Sequence, residues 1–244
     1  MDETARGIYS RQIMMKQIGE AGQQKLESAS VLVVGCGGLG APALFYLVAM
    51  GIGNIGLCDN DVVSLSNLNR QLLFTYDDIG KSKAVVAQKR LLALNPRLMS
   101  TVYDQRFDEG LAGRILPSYD IAVDCLDNFE TRFILNDACI KAGKPFVHAG
   151  ISDFYGQLMT VIPGRGPCLR CLFPVEKRAK TPEEPIGVVG ATPGVVGSLQ
   201  ALEVLKFLLG FPVSNEGLVV YDGLNMSLEK VALTASDKCI CRNC

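Results

Sequence analysis

The chain lacks an excess of charge of either sign. Its 24 lysines and arginines nearly balance 25 aspartates and glutamates, and the isoelectric point is near 5.9. Proteins that bind nucleic acid cluster their basic residues and are usually basic overall, so no nucleic acid partner is expected. The apolar content of 48% also excludes a disordered chain, which needs low hydrophobicity and a high net charge.

Long uninterrupted apolar runs are also missing. The N-terminal residues, MDETARGIYSRQIMMKQIGEAG, carry mixed charges without the apolar centre of a secretory signal. The most apolar helical stretch, residues 195–211, is interrupted by Gln200, Glu203 and Lys206, whereas a bilayer span needs about 20 clean residues. We therefore expect a cytoplasmic protein without membrane contact.

Histidine is scarce, but cysteine is not. The one histidine, His148, adjoins a predicted strand end with no nucleophile beside it in sequence, and we expect it to be structural. Nine cysteines are present, yet disulfide scaffolds are short secreted chains, and this chain is long, apolar and without a secretory signal. The cysteines therefore indicate reduced thiols or a metal site.

Short apolar runs rich in β-branched residues alternate with helical segments in the first 150 residues. We predict strands at 31–34, 55–58, 121–123 and 145–147. We predict helices at 40–50, 83–94 and 129–142, the last closed by Gly143. This alternation predicts a doubly wound, Rossmann-like α/β fold with a mainly parallel sheet.

The pattern changes after about residue 150. Longer strands are predicted at 157–162 and 218–221, around a helix at 195–209. This half is expected to extend the same sheet with antiparallel or mixed strands. Residues 177–185, KRAKTPEEP, are polar, charged and bounded by proline, which predicts a mobile loop.

A glycine-rich turn follows the first predicted strand and opens a helix. In GCGGLG the glycines Gly35, Gly37 and Gly40 form a G-x-G-x-x-G pattern, whose backbone N–H groups can hold phosphate. Asp59 ends the second strand 19 residues after Gly40, the separation expected of a carboxylate that binds a ribose. The sequence therefore predicts a nucleotide site, against the alternative of a purely structural turn.

Charged residues downstream favour a triphosphate over a dinucleotide. A triphosphate and its metal recruit arginine, lysine and carboxylates, and Asp61, Arg70 and Lys83 stand just after the second strand. Each charge alone would more often be a solvated surface group. Asp127 follows the fourth strand and suits Mg²⁺ between phosphates, although it can also be read as the N-cap of the next helix.

Six ordered motifs resemble the MoeB/ThiF/HesA family of ubiquitin-activating-like adenylyltransferases: GCGGLG, DNDVVSLSNLNRQ, GKSKA, DCLDN, CLRC and GVVGSLQALEVLKFLLG. Family members bind ATP and Mg²⁺ and adenylate the C-terminal glycine of a small ubiquitin-fold sulfur carrier, releasing pyrophosphate. The resemblance implies this reaction here, with a carrier ending in Gly-Gly as partner, in molybdopterin, thiamine or related sulfur-transfer biosynthesis. It also implies one adenylation domain over 1–244, comprising a helical segment (1–28), a nucleotide-binding half (29–150) and a carrier-binding, zinc-containing half (151–244).

The same resemblance implies roles for individual residues. The implied nucleotide set is Gly35, Gly37, Gly38, Gly40, Asp59, Asp61, Asn67, Arg70, Gln71, Lys83, Asp127 and Asn128. Within it, Asp59 would hold the ribose, Arg70 and Lys83 would neutralise the triphosphate, and Asp127 would bind Mg²⁺ near the α-phosphate. Arg11 would reach the triphosphate of the partner protomer in a homodimer, which makes the implied catalytic set Arg11, Arg70, Lys83 and Asp127.

Two C-x-x-C pairs suit a structural zinc site, and their spacing alone also allows buried or redox cysteines. The family resemblance implies Zn²⁺ on Cys168, Cys171, Cys241 and Cys244, with Cys239 able to replace either of the last pair. Several family members carry a further cysteine where this chain has Glu183. Its absence argues against a covalent thio-intermediate here and leaves sulfur delivery to a separate donor protein or to another cysteine.

Two other functions compete with adenylation. A nicotinamide-dependent oxidoreductase uses the same glycine turn, but it leaves Arg70, Lys83 and Asp127 without a role. A non-catalytic interaction module would keep the fold and the zinc without needing those charges.

Overall fold

A computed structural model describes residues 2–173, 187–236 and 239–242. Eight strands form one sheet: β1 (Ser30–Val34), β2 (Asn54–Cys58), β3 (Met99–Tyr103), β4 (Ile121–Asp124), β5 (Phe146–Ser152), β6 (Tyr155–Val161), β7 (Gly217–Asp222) and β8 (Ser227–Ala232). The described α-helices are α1 (Glu3–Ile8), α2 (Ser10–Ile13), α3 (Gly19–Ser28), α4 (Gly40–Ala49), α5 (Lys83–Leu94), α6 (Glu109–Ile115), α7 (Phe129–Ala142), α8 (Leu169–Leu172) and α9 (Ala191–Leu209).

The strands lie in the order β3-β2-β1-β4-β5-β6-β7-β8. Strands β1 to β5 are parallel, and β6, β7 and β8 add an antiparallel extension. The prediction of a mainly parallel α/β sheet, extended by antiparallel strands from the second half, is therefore confirmed. Because β5 pairs with β6 from Phe146↔Val161 to Ser152↔Tyr155, the sheet runs continuously across residue 150.

Strand β1 shows how the sequence buries both faces of this sheet. Its side chains alternate, so that Val31 and Val33 join one apolar cluster while Leu32 and Val34 join the other. Helices α4, α5 and α9 pack on the first face, and α6 and α7 pack on the second. Such two-sided burial requires the continuous apolar runs from which these strands were predicted.

The predicted helices and strands of the first half are confirmed with small shifts at their ends. Gly143 closes α7 in the left-handed conformation with φ 65°, as the sequence predicts. Helix α9 begins at Ala191 rather than at 195, because Thr192 and Pro193 fit its first turn. Residues 177–185, predicted to form a mobile loop, lie outside the described residues. No helix in the part of the chain that the structure describes is long and apolar enough to cross a membrane.

Candidate functional site

A cavity of about 1120 Å³ opens at the carboxyl ends of the parallel strands. This edge of an open α/β sheet is where ligands bind, because the strand order reverses between β1 and β4 and leaves a crevice. Among the residues predicted from the sequence, those lining this cavity are Gly35, Gly37, Gly38, Asp59, Asp61, Arg70, Gln71, Lys83, Asp127 and Asn128. Residues separated by up to 93 positions along the chain thus share one wall.

The glycine loop needs its glycines for steric reasons. Gly35 has a φ of 98°, and a Cβ there would lie 2.5 Å from the carbonyl oxygen of Cys125. Gly40 does not line the cavity, and a Cβ at this position would lie 2.1 Å from the carbonyl oxygen of Gly35. Gly40 therefore supports the turn from below, and its predicted direct contact with the nucleotide stays a prediction.

Asp59 is held at the end of β2 by backbone donors. The N–H of Cys36 donates to Oδ2 at 2.7 Å, and the N–H of Asp61 donates to Oδ1 at 2.8 Å. Burial raises the pKa of Asp59, while these two N–H groups oppose the rise. The carboxylate is thereby fixed beside the glycine loop, where a ribose hydroxyl can donate to it.

Lys83 and Asp61 form an ion pair across the cavity wall. The Nζ of Lys83 lies 2.9 Å from Oδ2 of Asp61, and the lysine side chain is 8% exposed while that of Asp61 is 58% exposed. Lysine is seldom so deeply buried unless it is paired. Because Asp61 faces water, the ammonium group of Lys83 can leave this carboxylate and pair with an incoming phosphate.

The segment after β2 presents the next polar groups. Arg70 donates from Nη1 to the carbonyl oxygen of Ser66 at 2.8 Å. Gln71 is buried and lines the cavity, and its Oε1 has no hydrogen-bond partner within the part of the chain that the structure describes. Asn67 is also buried, but its Oδ1 accepts from the N–H of Ser64 at 3.0 Å and the residue does not line the cavity. Its predicted place at the triphosphate stays a prediction.

Asp127 is exposed in the loop after β4. The reading of Asp127 as a helix N-cap is wrong, because Asn128 caps α7 and its Oδ1 accepts from the N–H of Thr131 at 2.9 Å. The side chain of Asp127 contacts Nδ2 of Asn128 at 3.3 Å. Its carboxylate is therefore available to a cation in the cavity.

Beneath the cavity, three ionisable side chains form a buried group. Asp124 and His148 are fully buried, and Nδ1 of His148 lies 2.6 Å from Oδ2 of Asp124. Burial lowers the pKa of His148 despite its hydrogen bond to this carboxylate, so the ring is neutral and donates from Nδ1. Nε of Arg132 lies 3.7 Å from Oδ1 of Asp124. His148 does not line the cavity, in agreement with its expected structural role.

Sequence reasoning missed several residues of the cavity wall. Arg132 lies in the first part of α7, and Tyr155 and Gln157 come from β6. The strand β6 was predicted, but only the pairing with β5 brings its start to the nucleotide half. Arg132 is the fourth residue of a predicted helix, and the sequence does not show which way its side chain points until the helix has been packed against the sheet.

Arg11 lies on α2 and is exposed. It does not line the cavity of its own chain. Its reach into the site of a partner protomer stays a prediction.

A second candidate site consists of four cysteines. The Sγ atoms of Cys168, Cys171, Cys239 and Cys241 lie within 4.8 Å of one another. The Sγ atoms of Cys171 and Cys241 are 3.7 Å apart, close to the roughly 3.8 Å that a tetrahedral zinc with 2.3 Å bonds requires. The cluster can therefore hold a metal ion. The predicted fourth ligand, Cys244, lies outside the described residues, and Cys239 stands in this group.

The remaining described cysteines are small core residues, as predicted. Burial raises the pKa of the Cys36, Cys125 and Cys139 thiols and raises that of Cys58 to about 12. A thiol with a raised pKa is a poor nucleophile because the thiolate is the reactive form. The raised pKa of these four thiols therefore disfavours the thiolate form that sulfur transfer uses. Glu183 lies outside the described residues.

Comparison with known proteins defines the class. The ThiF family matches residues 9–243, and the chain belongs to this family. It is 45% identical, over 95% of its length and 88% of the relative's, to the sulfur carrier protein adenylyltransferase of Thermus thermophilus. It is 43% identical to the adenylyltransferase and sulfurtransferase MOCS3 of Xenopus laevis, over 96% of this chain and 53% of that protein. These relatives confirm the predicted enzyme class, an adenylyltransferase.

A solved structure shows the same fold. The crystal structure of E. coli MccB with ATP superposes with a TM-score of 0.80 at 27% identity, covering 95% of this chain and 73% of MccB. The chain spans about half the length of the MOCS3 relative.

Proposed function

We propose that this chain catalyses ATP- and Mg²⁺-dependent adenylation of the C-terminal glycine of a small ubiquitin-like sulfur carrier, with release of pyrophosphate. The observation that carries the proposal is the convergence of the glycine loop, Asp59, Arg70, Lys83 and Asp127 on one cavity. The name of one relative supports a sulfur carrier as substrate, and that of another, a probable molybdopterin-synthase adenylyltransferase of Porphyra purpurea, supports molybdopterin biosynthesis as one pathway. Thiamine or a related biosynthesis is proposed from the family resemblance alone.

The cavity fits a nucleotide triphosphate. Gly35, Gly37 and Gly38 line the cavity without side chains, and Asp59 stands beside them for the ribose. Oε1 of the buried Gln71 has no hydrogen-bond partner among the described residues, and it can accept from a hydroxyl or amino group of a nucleotide. The strand order and the two helical layers support the Rossmann-like, doubly wound assignment, with residues 1–244 as one adenylation domain.

The proposed chemistry needs no acid or base from the protein. A glycine carboxylate is ionised at neutral pH, so catalysis requires its alignment with the α-phosphorus and neutralisation of the leaving pyrophosphate. Lys83 can exchange Asp61 for phosphate oxygens, and Arg70 lies on the same wall. Asp127 would hold Mg²⁺, which neutralises phosphate charge when bound.

The second half is proposed to bind the carrier and a structural zinc. The cysteine donor set fits Zn²⁺, with Cys168, Cys171 and Cys241 as ligands and Cys244 or Cys239 as the fourth. The raised pKa of the buried thiols supports delivery of sulfur by a separate donor after adenylation. We also propose a homodimer in which Arg11 completes the partner's site.

Mass spectrometry of the carrier tests the proposal. After incubation with the chain, ATP and Mg²⁺, a carrier that ends in Gly-Gly should gain the mass of one adenylate. A carrier without its final glycine should gain none. Equal labelling of both carriers, or of neither across carriers from all the candidate pathways, would contradict the proposed substrate.

A further inference from the structure

The loop that carries Asp127 is fixed on both sides of this residue. On the preceding side, the N–H of Leu126 donates to Oδ1 of Asp124 at 3.1 Å. On the following side, Asn128 is fixed as the N-cap of α7. The backbone at Asp127 is therefore held while its side chain remains exposed to the cavity.

Arg132 fastens the preceding side of this loop to the sheet. Its Nη2 donates to the carbonyl oxygen of Leu126 and, at 3.0 Å, to the carbonyl oxygen of Ala149 in β5. The side chain is 9% exposed, and its guanidinium lies 5.7 Å from the centre of the Phe129 ring. Nη2 of Arg132 thus joins Leu126, the residue before Asp127, to strand β5.

The charge of Arg132 is balanced at this position. Asp124 is fully buried and lies 3.7 Å from Nε of Arg132, and the neighbouring His148 is neutral. A buried guanidinium opposite a buried carboxylate keeps its place, because moving it away would leave a buried positive charge unpaired. The brace on the Leu126 carbonyl is therefore rigid.

We propose that Arg132 is a positioning residue that fixes Asp127 for binding of the divalent cation. This inference rests on the proposed function, in which Asp127 is the cation ligand. Partners that hold a ligand in place set metal affinity, and their loss typically weakens metal binding by about 10-fold to 100-fold. Arg132 acts through the loop and needs no contact with the nucleotide.

The ATP affinity of the full chain, measured by calorimetry with Mg²⁺ and in magnesium-free buffer, tests this inference. We expect Arg132→Gln to weaken binding of Mg-ATP about 10-fold and to leave binding of metal-free ATP within about 2-fold. Asp127→Asn should show the same selective loss. Because both residues serve one cation site, the double variant should be no weaker than Asp127→Asn alone.

Arg106→Gln is the matched control. Arg106 lines the same cavity but is exposed and paired with Glu130 at 3.0 Å, so any effect of this variant should fall equally on both ATP affinities. If Arg132→Gln does not fold, Arg132→Lys carries the test, since it keeps the charge opposite Asp124 but loses the planar fork. A selective loss for Mg-ATP of at least about 3-fold is then expected.

Two results would overturn the inference while leaving the proposed function intact. Equal loss of both ATP affinities in the Arg132 variants would mean a direct contact with phosphate. Wild-type affinities for both forms of ATP in the Arg132 variants, with the expected selective loss in Asp127→Asn, would mean that Arg132 has no part in cation binding. A wild-type chain that binds no ATP in either buffer would instead overturn the proposed function and the inference together.

Discussion

Under this account, Lys83 exchanges its partner when the nucleotide binds. Its ammonium is buried against Asp61 and must turn to the phosphates. We expect Lys83→Ala to lower ATP–pyrophosphate exchange by about 100-fold, the loss typical of one preorganised electrostatic group. Lys81→Ala is the control, because Lys81 is exposed and pairs with Asp78 at 3.5 Å outside the cavity. Equal activity of the two variants would remove Lys83 from the reaction.

His148 should make stability depend on pH. Burial lowers the pKa of His148 in the folded chain, whereas a histidine in an unfolded chain has a pKa of about 6.5. As pH falls below this value, the unfolded chain takes up a proton that the folded chain refuses, so the free energy of unfolding decreases. The slope should approach about 1.4 kcal/mol per pH unit.

The melting temperature, measured from pH 7.5 down to pH 5.5 and so across the histidine pKa of roughly 6.5, reports this effect. His148→Asn keeps a donor for Asp124 but cannot titrate, so its melting temperature should fall less over this interval. Identical slopes for the variant and the wild type would show that other groups control the acid sensitivity.

The sequence predicts a site residue well where that residue directly follows a predicted strand. Asp59, Asp61 and Asp127 follow predicted strands, and the structure places all three on one wall. Arg132 was not predictable, because its role depends on carbonyl oxygens of Leu126 and Ala149 that approach only in the folded sheet.

At the scale of elements, α7 connects the nucleotide cavity with the cysteine cluster. Asn136 accepts from the N–H of Leu169 at 3.0 Å, at the start of α8. Asp137 forms a two-pronged ion pair with Arg170 of the same short helix. The first C-x-x-C pair is therefore braced against the helix whose N-terminus borders the nucleotide cavity.

Metal removal should weaken the fold at this brace. We expect chelation to extract one metal per chain and to lower the melting temperature before it lowers nucleotide affinity, since a structural zinc contributes folding energy. Elemental analysis of Cys171→Ser should find little metal. A well-folded wild-type chain with almost no metal would contradict the zinc assignment.

The same analysis of Cys239→Ser and Cys244→Ser identifies the fourth ligand. Only the variant that lacks a true ligand should lose metal. Loss in Cys239→Ser alone would agree with the cluster of described residues, and loss in Cys244→Ser alone would agree with the sequence spacing.

Elements buried on both faces were the predictable ones. Strands β1, β2 and β4 read as continuous apolar runs because helices cover both sides. Strand β3, with the sequence MSTVY, and strand β8, with SLEKVA, were missed. They are the two edges of the sheet, where exposure permits polar residues and removes the apolar pattern.

At the scale of the whole molecule, the account predicts a shared active site. Arg11 lies outside the cavity of its own chain, while Arg70 lines it. We expect Arg11→Ala and Arg70→Ala each to be inactive alone. Random exchange of their protomers should restore about a quarter of wild-type activity, because half of the dimers are mixed and each regains one of two sites. No recovery after verified exchange would contradict sharing.

ATP–pyrophosphate exchange with Mg²⁺ tests the central claim most directly. The assay compares the chain alone with the chain plus each of several ubiquitin-fold carriers that end in Gly-Gly, and Asp127→Ala serves as the control. The account predicts that exchange occurs with only one of the carriers. It also predicts that exchange falls at least about 100-fold in Asp127→Ala, while this variant stays folded and keeps its zinc. Wild-type exchange retained within a few-fold by Asp127→Ala, or an absence of ATP binding by the wild type, would contradict it.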